Sequence, residues 1–211
     1  MSFLLSVEPA RVPRMGLAIE VGDEDSREEL DQLAILLREE GVEWQQPEAC
    51  VLPPGRATMT SMPYSALYCL QRAYARYNAG LPVTPVSDMA EVEEDEVVAA
   101  EREMFESHLI YHSDVDGYYI PVDFDIPELI GDDYERVGSS QGLLAELRHC
   151  APAIGIRLEP DLSLSDTEAK RIDELIQADS GEFTYEWMAW LALHEACLQS
   201  IDSGHAIVFI G

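Results

Sequence analysis

Apolar side chains recur along most of the chain at the 3.6-residue spacing of helices, interrupted by shorter stretches that alternate. Leu30, Leu33, Ala34 and Leu37 follow the i, i+3, i+4, i+7 rule of one buried helical face. Ser26-Arg-Glu-Glu29 offers a capping box at the start of that helix, and Gly41 offers its stop. A second helix opens at Pro63, carries Leu67, Leu70, Tyr74 and Tyr77, and closes at Asn78-Ala-Gly80. Ser87 caps a third, over about 88–107. A fourth follows Gly138-Ser-Ser140 and runs to about Cys150, and a fifth is opened by the box Ser165-Asp-Thr-Glu168. The sixth and longest, about 182–202, carries Trp187, Trp190, Leu191, His194, Leu198 and Ile201, and Gly204 closes it.

The alternating stretches predict strands near 2–8, 16–21 and 154–158, with a final and central one at 205–210. Residues 45–62 read as a loop broken by Pro53-Pro54-Gly55. The segment from His108 to Phe124 reads as a β-hairpin turning at Asp116-Gly117, a favoured type I′ pair. That register puts Leu109, Tyr111, Ser113, Val115, Tyr118, Ile120, Val122 and Phe124 on a nearly all-apolar core face and Ile110, His112, Asp114, Tyr119, Pro121 and Asp123 on the other. Pro121 would then lie at a sheet edge or a bulge. About six helices on a mixed sheet that includes a hairpin make a mixed α/β or α+β fold, and 211 residues suit a single domain over 1–211.

Charge changes the picture from fold to partner. The chain carries 41 acidic and 13 basic side chains, a formal net charge of −28. The excess is local: residues 88–135 hold 17 acids and one base, Arg102. The balance argues against direct binding to nucleic-acid phosphates or an anionic membrane, and for a field that steers a cationic partner. Glu93, Glu94, Asp95, Glu96, Asp132 and Asp133 are therefore the candidate partner-binding residues, a solvated face being the competing reading. The start of the chain lacks the basic region and cleavage pattern of a signal peptide, no stretch reaches the length of a membrane span, and Cys50, Cys69, Cys150 and Cys197 form no C-x-x-C pair. These features predict reduced thiols and a cytoplasmic setting.

Chemistry-bearing patterns are weaker. His112, Asp114, Tyr119 and Asp123 form a candidate polar site of the kind that holds a hard cation or moves protons, though the EF-hand spacing is not met. Gly138-Ser-Ser140-Gln-Gly142 matches the nucleophile-elbow string, but Asp132-Asp-Tyr-Glu-Arg136 is too polar to be the buried strand such an elbow requires, which leaves a helix cap. His194-Glu-Ala-Cys197 is half of a zinc helix, set in an apolar stripe where a core histidine is expected. His149 and Cys150 are adjacent on a helix and point apart, so they form no dyad.

The string H-S-D-x-D-G-Y-Y-x-P-V-D-F at 112–124 resembles a segment of uncharacterised bacterial proteins, a resemblance that implies no activity. The leading expectation is an acidic cytoplasmic interaction protein that binds a basic protein, as an inhibitor or immunity protein would, with neither nucleic acid nor membrane as partner. No cofactor and no metal are expected on that reading, and the oligomeric state stays open. The alternative is a metal-binding or hydrolytic enzyme centred on the 108–125 hairpin, so whether the chain is an enzyme is undecided at this point.

Overall fold

The computed structural model of the chain describes residues 14–19, 24–48, 61–111, 117–130 and 135–210. Within them the elements run β1 (Arg14–Ile19), α1 (Glu24–Glu39), β2 (Ser61–Pro63), α2 (Tyr64–Asn78), α3 (Ala90–Glu93), α4 (Glu96–Met104), α5 (His108–Tyr111), β3 (Tyr118–Ile120), β4 (Glu128–Ile130), β5 (Glu135–Ser139), α6 (Ser140–Cys150), a 3-10 turn (Ala151–Ile154), α7 (Asp166–Gln177), α8 (Thr184–Ser203) and β6 (Ile207–Ile210). The strands form one mixed sheet in the order β2-β1-β6-β3-β5-β4. Only β3 and β5 pair in parallel; the other neighbours are antiparallel. The expected mixed fold is present, with β6 inside the sheet.

Two cores lie on the two faces of this sheet. Successive strand residues point to opposite faces, and here Tyr119 and Ile207 join the large core while Ile120 and Ala206 join the small one. The small core is closed by α1, whose Leu30, Leu33, Ala34 and Leu37 form the buried stripe that the spacing predicts. The large core is built by α2, α6, α7 and α8. At its centre Trp190 donates to the Leu147 carbonyl at 2.7 Å and Trp187 to the Ile154 carbonyl at 2.7 Å. The Trp190 indole adds a second donor to the Leu147 carbonyl, which already accepts from the Ala151 N–H in the last turn of α6, and the Trp187 indole takes the carbonyl of Ile154, the last residue of the 3-10 turn.

Several expectations need correction. There is no 108–124 hairpin: His108–Tyr111 is a buried helical turn, and Tyr118–Ile120 pairs with β5 and β6 instead. The physical reason is a local cap joined to a distant one, the Ser107 hydroxyl accepting from the Ile110 N–H at 3.1 Å. Glu146 of α6 accepts from the backbone N–H groups of His108 (2.9 Å) and Leu109 (2.8 Å) and from the Ser107 hydroxyl (3.0 Å), which holds the turn of α5 in place. Gly117 is needed not for a hairpin turn but because its φ is +93° and a Cβ there would overlap the Arg136 carbonyl. Pro121 simply follows the end of β3, an inner strand.

The run 154–158 forms no strand. It leaves the 3-10 turn through Gly155, Ile156 N–H bonds back to Ala151, and the Arg157 N–H is taken by Glu168. The expected helix at 88–107 is two helices, α3 and α4, broken at Glu94-Asp95. Helix α1 begins at Glu24, ahead of the Ser26 box. The strand expected near 2–8 lies outside the described residues. Among the described residues no helix is long and apolar enough to cross a membrane.

Candidate functional site

The acidic stretch is organised by two arginines of α2. Arg72 and Arg76 are four residues apart and so share a helical face. Both reach Asp95: Arg72 Nε lies 3.0 Å and Arg76 Nη1 3.0 Å from Oδ2. Oδ1 of the same carboxylate accepts from the Val97 N–H at 3.1 Å and caps α4. Arg72 also donates to the Thr84 carbonyl and Arg76 to the Pro82 carbonyl, each at 2.9 Å, which ties down the chain leading into α3. Burial opposes the charge on Asp95, but the Arg76 hydrogen bond, the Val97 N–H and the two guanidinium charges outweigh it and hold the carboxyl below its usual range.

Asp95 was expected on the partner-binding surface; its side chain is only 5% exposed and faces inward. This is a correction with a clear cause, since one short acid out of the run serves as cap and double ion-pair partner. Val92, Val98 and Glu101 also turn inward, and Glu101 accepts from Asn78 at 3.0 Å.

With that anchor in place, Glu93, Glu94 and Glu96 are exposed, as are Asp88, Glu103 and Glu106. Seven residues separate Glu96 from Glu103, two turns of α4, so they project from nearly one face about 10 Å apart. Among the described residues no ion pair neutralises Glu93, Glu94, Glu96, Glu103 or Glu106. The arginines that could do so are engaged elsewhere: Arg72 and Arg76 on Asp95, Arg171 on Glu168, and Arg136 over the Tyr111 ring at 5.8 Å. Arg102 reaches the Gln71 side chain at 3.5 Å. Asp132 and Asp133 lie outside the described residues.

A further acidic contact lies on the other side of the sheet. Glu128 of β4 has its carboxyl pushed up, by burial first and by the neighbouring Glu40 charge second.

Of the candidate polar site, Tyr119 and Asp123 fall within the described residues. Tyr119 is 1% exposed and donates its hydroxyl to the His108 carbonyl at 2.8 Å, inside the core. Asp123 is exposed, and His112 and Asp114 lie outside the described residues. The histidine that the fold does use is His108. Its Nδ1 accepts from the Ser139 N–H at 3.1 Å and its Nε2 donates to the Phe124 carbonyl at 3.1 Å, so one neutral tautomer satisfies both bonds. Burial pushes its pKa down, with the Phe124 carbonyl and the charges of Asp123 and Asp125 pulling the other way. Nothing in the periodicity around 108 marks this residue, because its partners come from β5 and from beyond β3.

Ser140 does follow a strand directly and begins a helix, so the strand–helix context judged too polar is present. The residue is nevertheless fully buried, its hydroxyl 2.8 Å from that of Ser200, and the cap of α6 is Ser139, which accepts from the Gly142 N–H. His194 stacks on Trp190 (ring centroids 4.6 Å apart) and meets Glu195 at 3.1 Å. Cys69, Cys150 and Cys197 are buried free thiols, and burial pushes Cys69 and Cys150 up to about 12. Cys50 lies outside the described residues. His149 packs against Tyr74 and Tyr77 while Cys150 is buried, so the two do point apart. Among the described residues no group of three or more His, Cys, Asp or Glu side chains is placed to hold a metal ion.

A family model described as "Putative DNA-mimic protein" matches residues 9–209. No curated protein and no solved structure matches the chain. The family match corrects the expected partner. Charge balance pointed to a generic basic protein with nucleic acid out of the picture, whereas a DNA mimic is addressed to a DNA-binding protein. In that family description nucleic acid enters as the ligand imitated.

Proposed function

The chain belongs to the putative DNA-mimic protein family, and we propose that it occupies the DNA-contacting surface of a DNA-binding protein, with the exposed carboxylates of α3 and α4 standing where phosphates would. It is then an inhibitor that acts by exclusion, in the compartment where DNA-binding proteins work, the cytoplasm of the sequence-based expectation. The observation that carries this reading is the set of exposed glutamates, Glu93, Glu94, Glu96, Glu103 and Glu106, which no ion pair among the described residues neutralises while Arg72 and Arg76 turn inward to Asp95.

The spacing is compatible with such a role. One DNA strand carries a phosphate about every 3.4 Å of axis. The separation of about 10 Å between Glu96 and Glu103 on an α-helix covers about three such steps. A fixed helical array also costs little ordering on binding, since the scaffold is already locked by the Arg72–Asp95–Arg76 node.

The experiment is competition. A purified DNA-binding protein is loaded with a fluorescently labelled duplex, and the chain is titrated in while anisotropy is followed. The reading requires displacement of the duplex and a displacing affinity that falls as salt rises, because exposed charges are screened over about 8 Å at physiological ionic strength. A ternary complex that retains the duplex would refute exclusion.

A further inference from the structure

The end of α4 departs from what helix termini prefer. Phe105, the residue that follows the helix, has φ 55° and ψ 33°, in the left-handed region that glycine ordinarily fills at this position. A phenylalanine there is not a choice for helix termination. Phe105 as a residue is 56% exposed, and the preceding Met104 is 50% exposed. The ring leans edge-on against Tyr111, with centroids 5.6 Å apart and planes at 81°, so it is propped from one side without being covered. On either side stand the exposed Glu103 and Glu106. The result is an apolar knuckle set within the carboxylate surface.

We propose that Phe105, with Met104, is an anchor that enters an apolar recess in the cationic face of the DNA-binding partner. This deepens the reading of the preceding subsection and rests on it. A mimic that relied on charge alone would compete with DNA on equal terms and lose affinity with salt in the same way. An aromatic side chain adds contact area that salt does not screen, and aromatic residues and methionine are enriched in interface cores. Charge complementarity selects the occupant. A second copy of this chain would bring its own carboxylates against Glu103 and Glu106, and an acidic partner would be repelled likewise, whereas cationic side chains around an apolar recess satisfy both features at once.

The test uses Phe105→Gly, which suits the observed φ and removes the ring, together with Phe105→Asn, since asparagine also tolerates the left-handed region. Three purified probes are each loaded with a labelled duplex of about 20 base pairs: a helix-turn-helix dimer, a minor-groove architectural protein and a tandem zinc-finger protein. The expected result is that the wild-type chain displaces the duplex from at least one probe and that both variants need at least tenfold more protein to do so. Both should keep the wild-type salt dependence and a melting temperature within a few degrees of wild type. Displacement by the variants within twofold of wild type would overturn the anchor while leaving the mimic reading intact. Failure of the wild-type chain on all three probes would overturn the mimic reading and the anchor with it. Sedimentation that shows a wild-type dimer dissolved by Phe105→Gly would assign the knuckle to self-association and overturn the proposal.

Discussion

Asp95 shows how one residue can leave a charge run and become part of the scaffold. Its carboxylate is buried between Arg72 and Arg76 and caps α4. Breaking a buried ion pair by removing one partner strands the other charges. Asp95→Ala should therefore destabilise the chain by about 3 kcal/mol, measured by urea unfolding at pH 7, and exposed-face changes such as Glu94→Gln should leave stability near wild type. Because the Asp95 carboxyl titrates below its ordinary value of 3.8, its contribution is present above that value and is lost as pH falls through the folded one. Glu146 has the opposite sign. Burial raises it from 4.5 to about 7 despite three donors, so the stability linked to its proton is complete below about 4.5 and is lost as pH rises through about 7. His108, held below its ordinary value, contributes stability that rises with pH in the same window. The test is therefore a difference: in thermal melts the wild type should lose stability relative to Glu146→Gln as pH rises from about 5 to about 7.5, and identical slopes would remove Glu146 from the account. Local sequence carried a signal for Asp95. It is the one aspartate among the five acids of 91–96, and aspartate is a far better cap than glutamate. The pairing with Arg72 and Arg76, 23 and 19 residues away, carried none.

At the scale of elements, legibility followed the range of the interactions. Helices whose signals lie within a turn or two were readable: Pro63 before α2, Ser165 capping α7 and Gly204 ending α8 all stand where local chemistry puts them. The turn α5 was not, although Ser107 caps it locally by accepting from the Ile110 N–H at 3.1 Å. Its first N–H groups go to Glu146, 38 residues from His108, and Leu109 and Tyr111 alternate as well for a strand as for a helical turn. The α5–α6 contact is also tight. A Cβ on Gly142 would overlap the imidazole of His108, which is held on both nitrogens and cannot swing aside without losing the Ser139 or Phe124 bond. Gly142→Ala should therefore cost about 1–3 kcal/mol, read by chemical denaturation, even though alanine is the better helix former. A neutral or stabilising effect would show that the α5–α6 junction yields more easily than its hydrogen bonds imply.

For the whole molecule, a net charge of −28 is distributed with a purpose that composition alone does not disclose. The concentration of acid in 88–135 was legible and so was its likeness to a binding surface. The division of that acid into a buried node and an exposed array was not, because it depends on which side chains α2 turns toward α3 and α4. The proposal that DNA is the imitated ligand rests on the family match and not on charge, since a carboxylate surface looks the same to any cationic partner. The central claim is that the exposed array, and not net charge in general, excludes DNA from its binding protein. The most direct measurement replaces Glu93, Glu94, Glu96 and Glu103 together by glutamine, leaving Asp95 and the fold in place, and titrates this variant against a labelled duplex bound to a DNA-binding protein that the wild-type chain displaces. The account predicts at least a tenfold loss of displacing affinity and a flatter salt dependence, with an unchanged melting curve. Displacement at wild-type affinity and with the wild-type salt dependence would contradict it.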